Sequence, residues 1–187
     1  MTAAAQTQIP GYTAGTWDID PVHSDVSFSV KHMMVSKVRG RFVGVSGSFT
    51  TGEDVATSSV RAEIDATSID TGNDQRDGHV RSADFFDVER YPTWTYVSTG
   101  VRHDGDDLVI DGDLTIKGVT RPVPLAVEIG GFGPDAYGGT RAGFTATTAI
   151  NRSDFGVDIA MPLDGGGVVV GEKVQITLEI QGVQRTS

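Results

Sequence analysis

From Ser24 to His32 the chain alternates strictly, with Val26, Phe28, Val30 and His32 on one side and Asp25, Ser27, Ser29 and Lys31 on the other. Successive side chains of a strand point to opposite faces, so this pattern predicts a strand with one dry and one wet face. The dry face ends in a histidine followed by Met33 and Met34, an apolar surface with a polar group at its end. The alternation recurs along the chain. Val60, Ala62, Ile64 and Ala66 alternate with Arg61, Glu63 and Asp65, and Thr93–Val101 carries Trp94 and Tyr96 on one face. Leu108, Ile110, Leu114 and Ile116 resume it, then Val123 to Ile129, Phe144 to Ile150, and Val174 to Ile180.

Lys37–Thr50 reads as one long strand, but Phe42, Val45 and Phe49 do not keep one parity, so a bulge is expected near Gly44. A first strand starts at Trp17 and is interrupted at Pro21. One helix is predicted, from Asp74 to Phe85, capped by Asn73 or Asp74 and weakened by Gly78. About eight strands separated by turn signals favour an antiparallel barrel, and a two-sheet sandwich fits the periodicity nearly as well. Residues 1–14 read as a flexible N-terminal arm, and 15–187 as a single all-β domain.

Composition narrows the function. The 187 residues carry a net charge of −10, which argues against nucleic acid or an anionic membrane as the main partner. There is no cysteine, which excludes disulfides and thiolate chemistry. The N-terminus lacks the basic and apolar regions of a signal peptide, so a cytoplasmic location is expected.

Several segments together resemble the YceI-like family. They include Trp17-Asp-Ile-Asp-Pro-Val-His-Ser24, Phe28-Ser-Val-Lys-His-Met33, Val38-Arg-Gly-Arg-Phe42 and Ser68-Ile-Asp-Thr-Gly-Asn73. Arg81-Ser-Ala-Asp-Phe-Phe-Asp87, Gly112-Asp-Leu-Thr-Ile-Lys-Gly-Val-Thr-Arg-Pro122 and Asn151-Arg-Ser-Asp-Phe-Gly156 continue the match. The resemblance implies an extended eight-stranded antiparallel β-barrel, lipocalin-like, with one short helix near the mouth. It also implies non-enzymatic binding, storage or transport of a long-chain isoprenoid lipid, such as a polyprenyl alcohol, phosphate or quinone. No cofactor is implied beyond the lipid itself, and a homodimer is compatible with it.

On that reading the ligand contacts are Val26, Phe28, Val30, His32, Met34, Phe42, Ile64, Phe85, Trp94, Tyr96, Ile110, Leu114, Phe144 and Ile150. Ordinary core packing accounts for most of the same positions, because every barrel needs an inward apolar set. His32 and Tyr96 are the polar members, each able to meet a head group. They are also the only pair from which an enzymatic alternative can be assembled, while a self-filled barrel acting through protein partners is the third reading. Lys31, Arg39 or Arg41 near the mouth would be needed for a strongly anionic head group. Arg76, Asp77, Arg152 and Asp154 read as an ion-pair and capping network fixing the helix over the barrel end. His23, Ser24 and Asp25 cannot form a relay, because neighbours on a strand face opposite ways. No metal site is expected from the histidine spacing.

Overall fold

The computed structural model describes residues 9–33, 35–105, 107–157 and 170–186. Its strands are β1 (Gly15–Ile19), β2 (Asp25–His32), β3 (Ser36–Phe42), β4 (Val45–Thr51), β5 (Ser59–Asp65) and β6 (Ile69–Asp70). After helix α1 (Asp74–Arg81) come β7 (Thr93–Asp104), β8 (Asp107–Ile116), β9 (Val119–Pro122), β10 (Leu125–Pro134), β11 (Thr140–Asn151) and β12 (Val170–Gln184).

These segments form eight staves. β1 and β2 are two halves of one stave, since both pair with β12. β3 and β4 are halves of the next, pairing with β2 and β1 respectively. The order then runs β5, β7, β8, β10, β11 and β12, and the β1–β12 pairing closes the ring. The fold is thus a closed antiparallel barrel, and the sandwich alternative falls away. Among the described residues no helix is long and apolar enough to cross a membrane.

The sequence reading needs two corrections, to the break in the second stave and to the end of the helix. The expected bulge near Gly44 is a full break at Val43–Gly44, because the stave changes neighbours there. β3 has β6 on its outer flank, whereas β4 has β5. The break explains the lost parity: Phe42 and Val45 are both fully buried although three residues apart. The helix ends at Arg81, four residues before Phe85, where Ser82 caps the His79 carbonyl and Phe85, Phe86 and Val88 donate back in tight turns. Within the expected arm, Tyr12 and Thr13 contact one barrel end, the Thr13 carbonyl accepting from the Thr51 hydroxyl at 2.7 Å. The Tyr12 hydroxyl donates to the Gly52 carbonyl at 2.7 Å, and its ring meets Phe132 edge-on at 5.3 Å.

The Trp17–Ser24 segment builds the corner between the halves of the first stave. Trp17 is fully buried, stacks on Phe49 at 5.8 Å and donates its indole N–H to Thr51 at 2.9 Å. Gly182 sits beside this pair because a side chain there would collide with the Phe49 ring. Ser24 substitutes for a ladder rung, its hydroxyl donating to the Gln181 carbonyl and accepting from the Gln181 N–H. Asp20 accepts from Arg141 at 2.6 Å, from the Val22 N–H at 2.9 Å, and pairs with His23 at 2.7 Å. The Arg141 guanidinium and then His23 hold the Asp20 carboxyl well below the usual carboxylate range.

A group with a depressed native pKa adds stability above its unfolded value, about 3.9 for aspartate, and loses it as pH falls below that. The urea midpoint should therefore fall steeply below about pH 4. Asp20→Asn should cost about 1–3 kcal/mol at neutral pH and flatten that acid limb. An unchanged acid limb in the variant would exclude Asp20 as its source.

Candidate functional site: a two-chambered lumen

The inward faces of the staves enclose two cavities. The larger, about 470 Å³, lies at the α1 end, and the smaller, about 160 Å³, lies toward the Tyr12 end. Val26, Trp94 and Ile176 line both, so they mark the constriction between the chambers. Trp94 is packed there by Phe42, with ring centroids 4.6 Å apart, and by Phe86 at 4.8 Å and nearly perpendicular.

Val26, Phe28, Val30, His32, Phe42, Phe85, Trp94 and Ile150 line the larger chamber. Ile64, Tyr96, Ile110, Leu114 and Phe144 line the smaller, with Val26 and Trp94 again at the boundary. Met34 lies outside the described residues. His32 and Tyr96 are consequently in different chambers, so the pairing on which an enzymatic site would rest is not assembled. Tyr96 is also committed elsewhere. Its hydroxyl donates to the Val123 carbonyl at 2.8 Å, and its ring occupies the space that a side chain at Gly112 would need. Burial, then Asp111 and Asp113, push its pKa up and keep the phenol protonated.

Trp94 has the opposite character. It is buried, and its indole N–H has no acceptor among the described residues. A buried donor left unpaired costs about 1–3 kcal/mol. An oxygen at the depth of Trp94 would satisfy this N–H.

The larger chamber is walled by groups the sequence reading did not assign to it: Ile69, Thr71, Asn73, Gln75, Arg76, His79, Val80, Phe86, Phe155 and Val157 among them. Most come from α1 and the turns around it, whose aim depends on tertiary anchoring and leaves no periodic signal. That anchoring converges on one threonine. Asp77, 4% exposed, accepts from both the Thr71 N–H, at 3.0 Å, and the Thr71 hydroxyl. Arg76 donates to the Thr71 hydroxyl and carbonyl, each at 2.8 Å, and Arg81 donates to the carbonyls of Thr67 and Ile69. Arg152 donates to the carbonyls of Val157, Val170 and Gly171, tying β12 to the turn after β11. The expected ion-pair network is thus mainly one of arginines on backbone carbonyls. Asp154 is exposed and stands outside it.

Among the described residues no three histidine or acidic side chains converge as a metal site. The lumen is otherwise an apolar enclosure with polar groups concentrated at the α1 rim, where Lys31, Gln75 and His79 are exposed. Asp77→Ala should release the helix from Thr71 and cost about 2–3 kcal/mol in urea unfolding. Asp77→Asn should cost less, because an amide oxygen can still accept one of the two bonds. Equal stability of the alanine variant would show that the anchor contributes nothing.

Comparisons with known proteins match this architecture. The profile of the YceI-like domain matches residues 17–182. Protein YceI of Escherichia coli O17:K52:H18 is 39% identical over 169 residues, covering 90% of this chain and 85% of that protein. A UPF0312 protein of Vibrio cholerae serotype O1 is 36% identical over 170 residues, covering 90% and 86%. Among solved structures, BcnA of Burkholderia cenocepacia superposes with a TM-score of 0.75 at 27% identity, covering 87% of this chain and 98% of that one. A polyisoprenoid binding domain from Saccharophagus degradans superposes with a TM-score of 0.65 at 18% identity, covering 92% and 100%, a shared fold. The chain belongs to the YceI-like domain family.

Proposed function

We propose that the barrel binds a long-chain isoprenoid lipid in its lumen and stores or carries it without chemical change. The observation that carries this reading is the lumen itself. The larger chamber alone falls within the roughly 300–1,000 Å³ of ordinary ligand sites, more space than a self-filled core leaves. Each methylene moved from water into such walls contributes about 0.8 kcal/mol, so a prenyl chain is held by length alone. The binding function named for the S. degradans domain supports the same reading.

The unpaired Trp94 N–H favours a ligand with a neutral oxygen, such as an alcohol or quinone, within its reach. The separation of His32 from Tyr96 weighs against catalysis by that pair.

Solvent extraction of the purified protein followed by mass spectrometry should return a prenyl lipid. Val30→Trp, in the larger chamber, should abolish retention, while Ala62→Trp, in the smaller, should restrict it to shorter chains. Retention of the same lipid by both folded variants would place the ligand outside the lumen. Trp94→Phe should weaken binding of an oxygen-bearing prenyl lipid about tenfold and leave a pure hydrocarbon unaffected. Equal effects on the two ligands would exclude a hydrogen bond.

A further inference from the structure

We propose that the β2–β3 hairpin is a docking surface for an anionic lipid bilayer. The register sets Lys31 directly opposite Lys37, Ser29 opposite Arg39 and Ser27 opposite Arg41. Val30 and Val38, which alternate with these positions, line the larger chamber, so Lys37, Arg39 and Arg41 share the outer face and Lys31 stands where that face meets the chamber rim. Like charges directly opposite on neighbouring strands destabilise a sheet.

Carboxylates are plentiful in a chain of net charge −10, yet none is within ion-pair distance of these four among the described residues. Arg102, Arg141 and Arg185, elsewhere on the barrel, are paired, whereas Arg61 and Arg121 have no ion pair among the described residues but each is the lone cation of its strand. The acidic ladder position opposite Arg41 is Asp70, whose carboxylate caps the Gly72 N–H, and Asp25 ends the outer face of β2 beyond Ser27. The hairpin is therefore a basic stripe that folding alone does not require.

Its tip has the complementary property. Met33 is 46% exposed and Val35 88% exposed, an apolar pair at the end of a basic stem. An apolar tip flanked by cations matches the boundary between acyl chains and phosphates. The negative charge of the whole molecule does not forbid this contact, because screening confines each surface charge to about 8–10 Å at ordinary ionic strength. Lys31, His32 and Val38 belong to the wall of the larger chamber. Docking by this hairpin brings that chamber's rim to the membrane, where a water-insoluble cargo has to be collected or delivered.

The test is flotation of the full-length protein with phosphatidylcholine vesicles, with and without phosphatidylglycerol. The protein should float with phosphatidylglycerol vesicles, less so as salt rises, and not with phosphatidylcholine alone. Lys37→Glu with Arg39→Glu should weaken binding roughly tenfold or more. Val35→Asp should weaken it at every salt concentration. Arg61→Glu with Arg121→Glu makes the same charge change on exposed positions remote from the hairpin and should bind as the unmodified protein does. Equal loss in this control would reduce the effect to net charge and overturn the proposal, as would indifference to phosphatidylglycerol. Loss of self-association rather than of flotation in the hairpin variant would make the face a contact between copies and overturn it too. Lipid extraction from the same variants reads the luminal cargo separately, so either proposal can fail without the other.

Discussion

The barrel depends on β12 satisfying several partners along its length. Its backbone pairs with β11 from Arg141 to Asn151 on one side. On the other side it pairs first with β2 and then, beyond the corner, with β1. Without the last pairing the sheet would have open edges, and the inward apolar faces would meet water instead of each other. The Trp17–Ser24 segment makes the double engagement possible. Its indole fills the end of the barrel while Asp20 and Ser24 supply the hydrogen bonds that the broken stave lacks. One of the segments that carry the family resemblance is thus the one that closes the ring.

Closure creates the site. Because strand side chains alternate, enclosing one face encloses every second residue. This is why the inward residues read from alternation line the lumen: Val26, Phe28 and Val30 have no other side on which to lie. The same rule could not reveal the constriction, since Trp94 meets Phe42 and Phe86 through distances set by barrel curvature and by the α1 turn.

What the sequence left illegible has a common physical cause. Breaks and caps depend on partners far along the chain. The Val43–Gly44 break reflects a change of neighbouring strand, and the helix stops at Arg81 because Ser82 and the following turns divert Phe85 and Phe86 together into the larger chamber. Tyr96 looked available for a ligand because Val123, which accepts its hydroxyl, is 27 residues away. Net charge has the same limit, being a property of the whole chain rather than of one face. A sum over the chain hides the four cations that one hairpin collects.

The pairing of Trp17 with Gln184 also governs how the molecule is made. Contacts between such distant residues must be bought with loop-closure entropy before they return any stability, and folding slows accordingly. A nascent chain emerging from the ribosome carries β1, β2 and the greasy inner faces long before β12 exists to cover them. The interval between synthesis and closure is when this protein is most exposed to aggregation, and also when its interior is most accessible to a lipid.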